Sequence, residues 1–154
     1  MSRRHPAIKT QAELFIIESL TFVDEKKERF EGRILSDILA LRGKRCEYYY
    51  IRTEREFHRI LQKFTASRYR YLHISCHADR QSMATTLDTI PIPAFAKILG
   101  PHIKNRRLFL SACSLANANL AKHLMSDSGC VSILGPIRMC ILVTPRFFGL
   151  RCIT

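Results

Sequence analysis

Two short apolar runs constrain what this chain can fold into more than any other feature. Tyr69–His77 reads YRYLHISCH and Arg106–Cys113 reads RRLFLSAC; each begins on basic residues and stops at a reactive side chain. Runs of this length between helix-like segments suit fully buried strands of a parallel sheet, which stay apolar because both sheet faces are covered. In such sheets, ligands and chemistry gather just beyond the carboxyl ends of the strands. If the two runs are neighbours, their ends lie about 5 Å apart across the ladder. The His77 imidazole can then take the proton of the Cys113 thiol, so the pairing points to a Cys–His dyad.

The rest of the chain alternates in the same manner. Ala12–Val23 reads as the first strand, and Asp24–Glu28 as a solvated turn. Apolar residues at Phe30, Ile34, Leu35, Ile38, Leu39 and Leu41 follow helical spacing, which predicts a helix with one buried stripe and Gly43 at its end. Cys46–Arg52 is rich in β-formers and makes the second strand. Thr53 to Glu56 has the form of a capping box ahead of a stripe at Phe57, Ile60, Leu61 and Phe64. The third strand ends at His77, and the turn-rich stretch from Ala78 to Pro93 reads as a loop long enough to border a site. A short helix over Ala94–Leu99, a strand over Arg106–Ala112, a helix over about Ala116–Ser126 with Gly129 beyond it, and a strand over Cys130–Ile137 complete the pattern. This order predicts a three-layer α/β/α sandwich with a mainly parallel sheet and right-handed crossovers. The domain spans 12–137, after a basic leader at 1–11 and before an atypical tail at 138–154 that lacks clear periodicity.

At 154 residues the chain has the length of one domain. Its six cysteines form no CxxC pair and no zinc spacing, so they read as reduced thiols, several of them small buried hydrophobes. His73, Cys76 and His77 do not make a metal site, because Cys76 faces away from the two histidines on a strand. His73 reads as a core residue, Ser75 and Ser111 as packed small polar residues, and His58 and His123 as surface positions. No metal or other cofactor is expected. No run reaches the length of a membrane span and no apolar segment follows the basic N-terminus, so the expectation is a cytoplasmic protein without a membrane partner. The net charge of +12 attracts phosphate in general. The excess is shared by both halves of the chain, without a nucleic-acid motif or a Gly-rich phosphate loop. A basic nucleic-acid-binding domain is therefore the less favoured alternative.

The segment LHISCHAD, followed after one crossover by LFLSACSLANANLAKHLM and then GCVSILGPI, resembles the caspase-like superfamily, and within it the CHAT-type bacterial domains. Those carry a strand ending in His-Gly and a next strand ending in Ser-Ala-Cys. The resemblance covers about residues 12–137. It implies a cysteine endopeptidase acting on a protein substrate through a thioester, as an effector or signalling module, with His77 as general base and Cys113 as nucleophile. The backbone N–H groups of Ala78 and Cys113 are then the candidate oxyanion hole, and Asp79 and Asp88 the candidates for binding a basic substrate residue. The chain departs from the family where Ala78 replaces Gly, and where the tail stands in place of a sixth strand with specificity loops. These departures give the other alternative, a catalytically silent caspase-like scaffold that binds a protein partner.

Overall fold

The computed structural model describes residues 10–112, 115–125, 128–137 and 139–143. The chain opens with β1 (Gln11–Glu18), α1 (Phe22–Lys26) and α2 (Glu31–Leu41), then β2 (Cys46–Tyr50), α3 (Glu54–Ser67) and β3 (Tyr69–Ser75). Three short strands follow, β4 (His77–Ala78), β5 (Ser82–Ala84) and β6 (Thr89–Pro91), and lead into α4 (Ile92–Leu99) and a single 3-10 turn. β7 (Arg107–Ser111), α5 (Ala118–Met125), β8 (Ser132–Ile137) and β9 (Met139–Val143) complete the described chain.

The main sheet has the order β2-β1-β3-β7-β8-β9. Its first five strands are parallel and β9 closes the edge antiparallel to β8. β3 and β7 are adjacent, with Ser75 opposite Ser111, as the two apolar runs require. Strand alternation sends Phe15, Ile17, Leu72, Ile74, Leu108 and Leu110 to one face, where they pack with α3, α4 and α5 in one continuous core. Ile16 points to the opposite face, under α2. The result is a three-layer α/β/α sandwich. Each large side chain buried in this way contributes about 1.5–3 kcal/mol. The crossover helices α2 and α3 run back against the strands, so their N-termini lie at the carboxyl edge of the sheet.

Two buried charged groups hold the helices to the sheet by their ends. The capping box of α3 forms as read, with Thr53 and Glu56 exchanging side-chain and backbone bonds. At the other end of α3, Arg106 is only 4% exposed. Its guanidinium donates to the carbonyls of Phe64, Thr65 and Tyr69 at 2.7–2.9 Å and stacks on the Phe64 ring. A cation here meets the negative end of the helix dipole and uncapped carbonyls together. α2 has no capping side chain of its own at Phe30. Instead Glu18, fully buried at the end of β1, accepts the N–H groups of Gly32 at 2.7 Å and Arg33 at 3.3 Å, and the Tyr48 hydroxyl at 2.8 Å.

Several expectations are corrected. The first strand stops at Glu18 rather than Val23, and the expected solvated turn Asp24–Glu28 begins inside α1 with Asp24 buried. Thr21 ends the extended chain by capping this helix, its hydroxyl accepting the Asp24 N–H at 3.2 Å. The stripe of α2 does not bury as one unit: Ile34, Ile38 and Leu41 are 56%, 53% and 87% exposed, while Leu35 and Leu39 are half-buried. Gly32 sets this orientation, because the helix can approach β1 closely only at a residue without a side chain. The third strand ends at Ser75, and His77 starts a separate antiparallel sheet, β4-β5-β6, made from the expected loop. The first residues of the atypical tail form β9.

Gly32→Ala is expected to destabilise the fold. The added Cβ would stand 2.9 Å from the buried Ile16 Cγ2 and 3.3 Å from the Glu18 carboxyl carbon. Overpacking of this kind costs about 1–3 kcal/mol, against a helix-propensity gain of at most about 1 kcal/mol. A lower urea midpoint at unchanged slope is the expected readout; an equal or higher midpoint would show that α2 is free to move off the sheet.

Candidate active site at the carboxyl edge of the sheet

The connection between β1 and α2 supplies the acids of this edge. α1 turns Asp24 inward, leaving it 8% exposed. Its Oδ2 accepts from the Thr21 hydroxyl and from His77 Nε2, both at 2.7 Å, and its Oδ1 accepts from an Arg29 guanidinium nitrogen at 3.0 Å. The Thr21 hydroxyl first, then His77 and Arg29, hold the carboxyl down from the ordinary 3.8 to about 2, against the opposing effect of burial. Asp24 is therefore ionised at neutral pH and can only accept. It follows that His77 Nε2 is the donor, and in the neutral ring the free lone pair is on Nδ1. The imidazole itself is half-exposed.

Among the described residues, the two central strands pair as far as Ser75 and Ser111. The Cys76 N–H still donates to the Ser111 carbonyl at 3.2 Å, after which His77 enters β4. Cys113 lies outside the described residues, as does its backbone N–H. His77 and Cys113 nonetheless follow the register partners Ser75 and Ser111 by the same number of residues. Facing this junction, Glu31 at the start of α2 accepts from the Ser111 hydroxyl at 2.6 Å and the Ser75 hydroxyl at 3.3 Å.

The other sequence candidates have definite places. The Asp79 N–H donates to the Ser82 carbonyl, which makes Asp79 and Ser82 a hydrogen-bonded pair of the β4–β5 hairpin. Such pairs alternate, so Ala78 and Met83 form a non-hydrogen-bonded pair and the Ala78 N–H points away from the ladder at an open sheet edge. The Asp79 carboxylate accepts the N–H groups of Gln81 and Ser82, which close that hairpin and hold its pKa down. Asp88 accepts the Glu54 N–H at 2.7 Å and so caps α3. His73 is buried on the face that carries Ser75, and burial lowers its pKa. Burial pushes the Cys76 thiol up to about 12 and that of Cys130 up to about 11. Cys46, half-buried, is also raised. Among the described residues, no group of three His, Cys, Asp or Glu side chains is placed to hold a metal, and no helix is long and apolar enough to cross a membrane.

The sequence carries a signal for Asp24 of the same kind as the capping box of α3. Thr21-Phe22-Val23-Asp24 has the same Thr-x-x-acid form as Thr53-Glu54-Arg55-Glu56. Compared with models of protein families and with curated proteins, the chain finds no match.

Asp24 makes the fold sensitive to acid in a defined window. Its pKa is lower in the folded chain than in the unfolded one, so the unfolded chain binds the proton first and stability falls as pH drops from about 4 to about 2. In Asp24→Asn this part of the acid dependence is expected to disappear, read as urea midpoints across that window. Parallel pH profiles for the two proteins would mean that the carboxylate is not held as described.

Proposed function

We propose that the chain is a cysteine endopeptidase of the caspase-like kind, acting in the cytoplasm on a protein substrate. One observation carries the reading: an imidazole at the carboxyl edge of a parallel sheet, hydrogen-bonded to a shielded, ionised carboxylate, Asp24 to His77. A carboxylate in that position fixes the tautomer and stabilises the imidazolium when it forms. In the proposed reaction His77 Nδ1 takes the Cys113 proton, and the thiolate attacks the peptide carbonyl carbon. The carbonyl π electrons move to oxygen, where the N–H groups of Ala78 and Cys113 stabilise the charge. The intermediate collapses by expelling the amine, which leaves with the imidazolium proton. Water, giving a proton to His77, then attacks the thioester, and the thiol leaves with that proton. The acids of this edge suit a substrate that is basic near the cleaved bond. Asp79 and Asp88, the candidates named for that role, are engaged in the turn and cap described above.

A second reading, a silent caspase-like scaffold, is favoured by the ridge of Ile34, Ile38 and Leu41. Their i, i+4, i+7 spacing forms an apolar line on the outer face of α2.

The two readings separate on the pH dependence of iodoacetamide labelling at Cys113, mapped by mass spectrometry. The enzyme reading expects labelling well below the free-thiol pKa of about 8.5. In His77→Ala that reactivity returns to the ordinary range, and Asp24→Asn labels about tenfold slower near neutral pH, equivalent to about one pKa unit. Cys76 and Cys130 serve as slow internal references. A Cys113 profile like that of a free thiol in all three proteins sinks the enzyme and leaves the scaffold.

A further inference from the structure

We propose that the outer face of α2 is a docking surface for an acidic amphipathic helix of a partner protein. The proposal rests on the ridge that favours the scaffold reading and adds the chemistry of the partner, and it does not require a silent Cys113. Among the described residues, five of the six large apolar side chains that stand more than half exposed lie on α1 and α2: Phe22, Val23, Ile34, Ile38 and Leu41. Single exposed apolar residues are ordinary, whereas a concentration on one segment marks an interaction surface. Ile34, Ile38 and Leu41 fall on one line along the solvent side of α2, about 10 Å long at about 1.5 Å per residue. A roll of the helix that buried this line is blocked on its other side, where Gly32 packs against Ile16 and Glu18 holds the N–H groups of Gly32 and Arg33. The line fits the apolar stripe of a second helix laid along it.

The charge around the line selects the partner. Lys26, Lys27, Arg33, Arg42 and Lys44 are exposed and form no ion pair among the described residues. Most acids of the same segment are already engaged: Asp24 with His77 and Arg29, Glu25 with Tyr50 and Arg52, and Glu31 with Ser75 and Ser111. Glu28 and Asp37 remain, so five unpaired cations stand against two unpaired acids. Arg33 adjoins Ile34 and Arg42 adjoins Leu41, which puts a cation at each end of the line. A second copy of this chain, itself at +12, would bring like charge to that face. A helix with Asp or Glu beside its apolar stripe brings the opposite charge to both ends. Arg42 and Lys44 also suit the negative end of the α2 dipole, a role that stability measurements separate from docking.

The test is the binding of three fluorescein-labelled amphipathic peptides to the full chain, read by anisotropy, with urea midpoints measured alongside. The peptides share one leucine stripe at i, i+4 and i+7 and carry glutamate, glutamine or lysine beside it, each about 15 residues long so that a helix can form. The glutamate peptide is expected to bind about tenfold tighter than the glutamine peptide, and the lysine peptide not to bind. Ile34→Ser/Ile38→Ser should weaken the glutamate peptide about tenfold or more. Arg33→Ala/Arg42→Ala should remove the preference for glutamate and flatten its salt dependence, while Arg55→Ala/Arg59→Ala, which takes the same charge from α3, should leave both in place. Urea midpoints close to that of the native chain tie these losses to docking. Equal binding of the three peptides overturns the acidic partner. No binding of the glutamate peptide, or binding that ignores Ile34→Ser/Ile38→Ser, overturns the docking surface. Self-association of the native chain that is lost in Ile34→Ser/Ile38→Ser, seen by sedimentation, gives the face to a second copy and overturns the proposal as well. Cys113 labelling decides the scaffold reading separately: an activated thiol together with ridge-dependent peptide binding sinks the silent scaffold and leaves this surface standing.

Discussion

The structure depends on a carboxylate with no exposure to water. Glu18 sits at the end of β1, where a buried charge is costly unless its lone pairs are filled, and two helix N–H groups and the Tyr48 hydroxyl fill them. The same bonds satisfy donors that every helix start leaves open, and they fall at the positive end of the helix dipole. Glu18 thus fixes where α2 begins relative to the sheet. Gly32 allows the approach, and the pair of residues determines which side of α2 turns inward. Without that anchor the connection from β1 to α2 would have no fixed return point, and the acids it carries would have no fixed targets.

Those acids reach different strands. Glu25 accepts from the Tyr50 hydroxyl at the end of β2 and pairs with Arg52 just beyond it at 2.8 Å. Asp24 reaches His77 after β3, and Glu31 spans the ends of β3 and β7. One segment, from Asp24 to Glu31, therefore links the ends of β2, β3 and β7. Backbone ladders hold the strands together along their length. At the described ends of the strands, side-chain carboxylates add links of their own.

How much of this was legible in the sequence follows from the range of each interaction. Strand length and apolar content are local, so β2, β3, β7 and β8 were readable to within a few residues, and with them the parallel order and the sandwich. The capping box at Thr53 is local too. The helix at Phe22–Lys26 is not legible because its five residues are too short to show periodicity, and a run of charge reads as solvent-facing until a distant histidine is known to meet it. Which half of the α2 stripe is buried was equally out of reach, since it is decided by the contact of Gly32 with Ile16 on another element. The three strands between His77 and Pro91 look like a loop in the sequence because prolines and polar residues weaken a strand signal. Pro91 is tolerated there at the last position of β6, an edge strand.

The helix directions have one more consequence. Acids gather in the first turns at Asp24, Glu25, Glu31, Glu54 and Glu56. Cations gather where α2 and α3 end, at Arg42, Lys44, Arg45 and Arg68. The net charge of +12 is therefore not spread evenly along the strands. Beyond the Debye length, about 8 Å at physiological salt, an approaching chain meets only the weak residue of that positive charge. Inside it the two ends of the sheet differ: at the carboxyl edge the acids meet cations of their own, Arg29 on Asp24 and Arg52 on Glu25, so the cations at the opposite end are the ones left to be felt.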